Sequence, residues 1–158
     1  MARESHIVCG YIRTSEGEAA LHEAIREAQY RQAHLTVLHS RATPTENLAD
    51  GTGFVEHELI EPAARPESLA PPQAGFYEEE LAWLANVLSS RGVPHTVKQV
   101  PAGHSAAEDI LHTAHEEDAD LIVIGIRRHS RLGKFLLGSD AQTILLEASC
   151  PVLAVRPK

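Results

Sequence analysis

The chain has 158 residues, 43% of them hydrophobic, and a formal net charge of −8 at pH 7. This length is enough for a single domain with a core of its own. The acidity argues against a nucleic-acid partner or an anionic membrane surface, and no apolar run approaches membrane-spanning length.

Apolar runs alternate with amphipathic segments along the chain, which predicts alternating strands and helices. In chain order these are strand His6–Tyr11, helix Ser15–Arg31, strand His34–His39, helix Gly75–Arg91, strand His95–Val100, helix Ser105–Glu117, strand Leu121–Gly125, helix Ser139–Ala148 and strand Val152–Val155. The alternation predicts an α/β fold in which helices cover both faces of a mostly parallel sheet.

Several helix ends carry recognisable signals. Ser15 with Glu18, and Ser139 with Gln142, have the spacing of a capping box, so the two serines are the predicted N-caps. Ser105 opens the third predicted helix, with Glu108 three residues later. Gly92 follows the second helix, where a glycine in the left-handed conformation is typical.

Residues 41–75 interrupt the alternation. They contain five of the nine prolines, together with the sequences GTG and PPQAG. A stretch of this length and composition is either functional or without fixed structure. Two interpretations of this segment are open: it is a lid that folds over the ligand, or it is a mobile insertion in a single domain.

A basic loop follows the fourth predicted strand, at the edge where parallel sheets collect their ligands. Four of the fourteen Lys and Arg lie within residues 127–134: Arg127, Arg128, Arg131 and Lys134. The loop leads into Gly138-Ser139 at a predicted helix start, where free N–H groups and the helix dipole favour a phosphate. This pattern predicts an anion site. The alternative is a solvated loop in which Ser139 only caps the helix.

The strand IVCGY, the strand LIVIG, the Gly138-Ser139 pair and the tail CPVLAV together resemble the universal stress protein family. The resemblance covers nearly the whole chain except 41–75, a region that varies in the family. Nucleotide-binding members carry Gly-x-x-Gly, nine residues, then Gly-Ser or Gly-Thr. Here Gly125 is the first glycine and Gly138-Ser139 the final pair, whereas Arg128 replaces the second glycine. Ile12 stands where those members have an aspartate that contacts the adenosine.

The resemblance implies a five-stranded sheet in the order 3-2-1-4-5 and an adenine nucleotide, ATP or AMP with or without Mg²⁺, between strands one and four. Glycines and arginines would take the phosphates, and a backbone group of Ser40 would contact the adenine. The implied binding set is Ile12, Ser40, Gly125, Arg127, Arg128, Arg131, Gly138, Ser139 and Asp140. The family also implies a stress-response role and a homodimer through the last strand, whose apolar edge would be a liability in a monomer.

Two departures from the family pattern leave a second interpretation open. Ile12 cannot accept a hydrogen bond, a loss of about 1 kcal/mol. Arg128 either obstructs the close approach that a glycine permits or supplies a bidentate contact to a phosphate. The alternative function is therefore a nucleotide-independent homodimeric interaction protein of the same family.

Catalysis has little support in the sequence. It has no Walker A pattern, no Gly-x-Gly-x-x-Gly run, no Gly-x-Ser-x-Gly elbow and no Cys-x-x-Cys, so we expect a weak ATPase activity at most. His112 and His115 have weak metal spacing, and we expect them to face solvent. His39, at the end of its strand, is predicted either to line the pocket or to have a structural role.

The remaining predictions concern charge and compartment. The carboxylates of residues 78–80 are predicted to be solvated. Cys9 and Cys150 lie in or beside apolar runs and are predicted to be inert buried thiols. The segment MARESHIVCGY lacks the pattern of a signal peptide, so we expect a cytoplasmic protein.

Overall fold

The fold alternates strands and helices along the chain. It is seen in a computed structural model that describes residues 3–40, 74–101, 104–126 and 138–158, with side chains omitted for 74–77. The elements are β1 His6–Tyr11, α1 Ser15–Arg31, β2 His34–His39, α2 Ala74–Ser90, β3 His95–Gln99, α3 Ala106–Glu116, β4 Leu121–Gly125, α4 Ser139–Glu147 and β5 Val152–Val155. Where these bounds differ from the predicted ones, each differing end is shifted by one residue. Most of the predicted insertion, residues 41–73, lies outside the described residues.

The strands form one parallel sheet in the order β3-β2-β1-β4-β5, which confirms the predicted architecture. The chain builds outward from β1 to β3 and then returns to add β4 and β5 on the other side. The direction of winding therefore reverses between β1 and β4, and a crevice opens there at the carboxyl ends of these strands.

Two apolar cores cover the two faces of the sheet. Because side chains alternate along a strand, Ile7 and Cys9 pack against α1 and α2, whereas Val8 packs against α3 and α4. We call these the α1/α2 face and the α3/α4 face. Cys9 is fully buried, and this burial raises the pKa of its thiol to about 12, which confirms the predicted buried thiol. Cys150 is only half-buried, so the prediction that it is buried is wrong.

The helix starts correct two predictions. Thr14, not Ser15, caps α1: its side chain accepts a hydrogen bond from the Gly17 N–H, so no Ser15 capping box forms. Gly138, not Ser139, is the N-cap of α4, and no side chain caps that helix, so the predicted capping box with Gln142 is wrong as well. In both cases the serine with capping-box spacing is the first residue of the helix, and the residue before it is the N-cap.

Other predicted ends are confirmed. The Ser105 side chain caps α3 by accepting from the Glu108 N–H at 3.4 Å. Gly92 follows α2 with a φ of +67°, in the left-handed region that favours glycine. None of the helices in the described ranges is both long and apolar enough to cross a bilayer.

The capping of α1 can be tested by substitution. Thr14→Ala should lower the free energy of unfolding by about 1 kcal/mol, since it leaves the Gly17 N–H unsatisfied at a buried helix start. Urea denaturation measures the change. Ser15→Ala is the matched control and should change stability by less than half as much; the reverse order would restore Ser15 as the cap.

Candidate functional site

A cleft lies at the carboxyl edge of the sheet, where the winding reverses. It encloses about 500 Å³, including open solvent at its mouth. The ends of β1, β2 and β4 and the first turns of α1, α3 and α4 contribute to it. The lining residues are Gly10, Tyr11, Ile12, Thr14, Glu16, Gly17, Ser40, Ala106, Ile110, Ile124, Gly125, Asp140, Ala141 and Ile144.

Two glycines bring the first turn of α1 close to the sheet. A Cβ at Gly17 would lie 1.7 Å from the Ile12 carbonyl oxygen, and a Cβ at Gly125 would lie 2.2 Å from the Glu16 carbonyl oxygen. Neither distance is possible between real atoms. The fold itself therefore requires both glycines, since α1 can start this close to β1 and β4 only if they have no side chain.

Gly138 has a different environment. Its φ of −59° is open to any residue, and among the described residues no heavy atom lies within 4 Å of where its Cβ would be. The part of the chain that the structure describes therefore gives no packing reason for a glycine here. The first N–H groups of a helix have no acceptor within it, and Asp140 and Ala141 of the first turn of α4 contribute to the lining of the cleft.

The lining of the cleft is mainly apolar with a few polar groups. Isoleucines at positions 12, 110, 124 and 144 form most of the apolar surface. Ser40 is buried beside them, and its N–H donates to the Tyr11 carbonyl at 2.9 Å. A backbone contact from Ser40 to a ligand would therefore use its carbonyl oxygen. The acidic residues of the lining are Glu16, which is buried, and Asp140, which is half-buried.

The predicted binding residues fall into three groups. Ile12, Ser40, Gly125 and Asp140 line the cleft together, although they are far apart in the sequence. Gly138 and Ser139 are exposed at the start of α4, beside it. The remaining three predicted residues lie outside the described residues: Arg127, Arg128 and Arg131.

A buried polar cluster lies next to the cleft on the α1/α2 face. Glu80 of α2 is 2% exposed, and its Oε2 lies 2.8 Å from Nε2 of His39, which is 1% exposed. The other carboxylate oxygen, Oε1, lies 3.6 Å from Nε of Arg13. The prediction that Glu80 is solvated is therefore wrong, whereas Glu78 and Glu79 are exposed as predicted. His39 was predicted either to line the pocket or to have a structural role. It does not line the cleft, so the structural role is the one observed.

A periodicity signal in the sequence marks Glu80 as buried. It lies four and eight residues before Leu84 and Leu88, both fully buried, and so belongs to the same helix face. The contributions of Thr14, Glu16 and Ile110 to the cleft have no such signal, because they depend on how helices meet at the sheet edge.

The described residues offer no candidate metal centre. No group of three or more His, Cys, Asp or Glu side chains in those ranges is arranged to hold a metal ion. His112 and His115 are exposed, as predicted, and His112 pairs with Glu116 on the same helix at 3.3 Å.

Comparison with known proteins decides the family. The model of the universal stress protein family matches residues 5–156. The chain belongs to the universal stress protein family. A universal stress protein of Mycolicibacterium smegmatis is 36% identical over 151 residues, 96% of this chain and 97% of the relative. A family member from Thermus aquaticus is 33% identical over 150 residues, 95% of this chain and 97% of that protein.

Solved structures of the family share the fold. A universal stress protein from Archaeoglobus fulgidus superposes with a TM-score of 0.64 at 24% identity, covering 98% of this chain and 99% of that one. A structure of the Archaeoglobus protein in complex with dAMP gives 0.59 at 23% identity, with 98% and 99% coverage. A universal stress protein in complex with cAMP gives 0.60 at 18% identity, with 99% and 100% coverage.

The different roles of the two motif glycines lead to a test. Gly125→Ala should lower the free energy of unfolding by about 3 kcal/mol, because its Cβ must displace the Glu16 backbone. Gly138→Ala, whose Cβ lies more than 4 Å from every described heavy atom outside its neighbours, should change it by less than about 1 kcal/mol. Urea denaturation of both variants checks the order. Equal losses of unfolding free energy in the two variants would contradict the distinction between Gly125, which packing requires, and Gly138.

Proposed function

We propose that this member of the family is a stress-response regulatory module that binds an adenine nucleotide, ATP or AMP, in the cleft between β1 and β4. The observation that carries the proposal is the start of α4. Its first turn lines the cleft through Asp140 and Ala141, and among the described residues no packing contact requires Gly138 to be a glycine. A helix N-terminus of this kind stabilises a phosphate through its N–H groups and dipole.

The lining of the cleft suits a nucleoside. Its isoleucines provide an apolar surface for a base, and the carbonyl of Ser40, which also lines the cleft, would accept from an amino group. Complexes of relatives with dAMP and cAMP support an adenine nucleotide as the ligand class. Arg127, Arg128 and Arg131 would supply charge for the phosphates, Mg²⁺ would accompany a triphosphate, and the protein would act in the cytoplasm.

A second candidate function is favoured by Ile12. It is half-buried at the end of β1 and gives the cleft an apolar side chain where the family pattern has an aspartate. A chain that does not bind nucleotide would act as a homodimeric interaction protein. The outer strand β5 would form that dimer, since its four residues, Val152 to Val155, are apolar and half-buried.

Titration calorimetry with AMP and ATP tests the nucleotide proposal. Gly138→Val should weaken binding at least tenfold, about 1.4 kcal/mol, because the branched side chain covers the first N–H groups of α4. Ser149→Val, at an exposed position beyond the other end of α4, is the control and should bind like the wild type.

A second variant tests the contribution of position 12. Ile12→Asp should strengthen adenine-nucleotide binding about fivefold to tenfold by restoring a hydrogen-bond acceptor to the cleft. Absence of binding by the wild-type chain at millimolar AMP and ATP would refute the nucleotide proposal and leave the interaction protein as the function.

The proposed dimer can be tested at the outer edge of β5. Pro151 and Val155 bond to β4 through their carbonyls, so the N–H of Ala154 points away from the sheet. Ala154→Pro removes this outward donor and should convert a dimer into a monomer with an unchanged far-UV circular dichroism spectrum. Sedimentation velocity measures the mass, and a variant that remains dimeric would place the interface elsewhere.

A further inference from the structure

The carboxylate of Glu80 connects parts of the chain that are distant in sequence. On the α1/α2 face, Oε2 contacts His39 at the end of β2 at 2.8 Å, and Oε1 faces Arg13, just beyond β1, at 3.6 Å. The first contact is a hydrogen bond, whereas the second is longer than a hydrogen bond and acts through charge. The Arg13 side chain is only 17% exposed, so solvent screens this attraction weakly.

Both partners of Glu80 adjoin residues of the cleft. Arg13 lies in the chain between Ile12 and Thr14, both of which line the cleft. His39 directly precedes Ser40, the predicted adenine contact. The wall of the cleft formed by the ends of β1 and β2 is therefore anchored from behind by one carboxylate on α2.

The energetics favour a fixed geometry at this point. A carboxylate that is 2% exposed is stable only if its partners stay within reach, because burial without them is very costly. Any movement of Arg13 or His39 away from Glu80 therefore carries a large energetic penalty. The aromatic ring of Tyr11, which also lines the cleft, packs 5.7 Å from the His39 ring and adds to the same restraint.

We propose that Glu80 is a positioning residue of the cleft, which holds the ends of β1 and β2 in the arrangement that accepts the nucleotide. The identity of the ligand in this proposal rests on the nucleotide function proposed above. Glu80 does not line the cleft, so it acts on the ligand only through Arg13 and His39.

The first experiment measures amide hydrogen exchange of the full chain without ligand. Glu80→Gln keeps the volume and a hydrogen-bonding group for His39 but removes the charge that attracts Arg13. Exchange should accelerate about tenfold at the amides of Thr14 and Ser40, which bond to Ile12 and Tyr11. The amide of Ile122, bonded to Pro151 at the β4–β5 pair, should exchange as in the wild type.

The second experiment measures AMP binding by calorimetry. Glu80→Gln should weaken AMP binding about tenfold, and Arg13→Met should do the same through the same contact. In the double variant the two losses should not add, because each variant already breaks the same pair. The matched control is Glu79→Gln, an exposed carboxylate on the same helix, which should leave both exchange and affinity unchanged.

The two experiments separate the two proposals. If the wild type fails to bind AMP, the nucleotide function is refuted, while hydrogen exchange still decides the role of Glu80. Unchanged exchange at Thr14 and Ser40, or equal acceleration at Ile122, would overturn the positioning role. Wild-type AMP affinity in Glu80→Gln would overturn it as well. If Glu80→Gln does not fold, Arg13→Met, at the more exposed partner, provides the same readouts.

Discussion

The close contact between the first turn of α1 and the ends of β1 and β4 is the constraint on which the site depends. Gly17 lets the helix start against the Ile12 carbonyl, and Gly125 lets β4 pass beneath the Glu16 backbone. Because α1 starts this close, Thr14 and Glu16 become part of the cleft wall. A looser turn would separate β1 from α1 and open the cleft to solvent on that side.

The sheet separates two kinds of environment at its carboxyl edge. On the α3/α4 face the cleft is mainly apolar, with a few polar residues in its lining. On the α1/α2 face a carboxylate, a guanidinium and an imidazole are packed together at the ends of the same strands. The buried charged groups on the α1/α2 face thus make the ends of these strands rigid. The α3/α4 face of the same strand ends remains available for apolar contact with a ligand.

Much of the fold could be predicted from the sequence, since the strand and helix periodicities are strong and the family resemblance supplied the strand order. Ile12, Ser40, Gly125 and Asp140 were likewise brought together as the resemblance implied. Helix caps were predicted less well, because a serine three residues before a Glu or Gln fits both an N-cap and the first helical position. The burial of Glu80 was missed because charge was given more weight than its place on the apolar face of α2.

The contact between Gly125 and Glu16 also bears on how binding is recognised from sequence motifs. A side chain at this position collides with backbone, so any chain that keeps this contact needs a glycine there whether or not it has a ligand. Selection for folding alone would therefore preserve the first glycine of the nucleotide motif. Gly138, for which residues 3–40, 74–101, 104–126 and 138–158 show no packing requirement, is the position at which loss of ligand binding would first allow the sequence to drift.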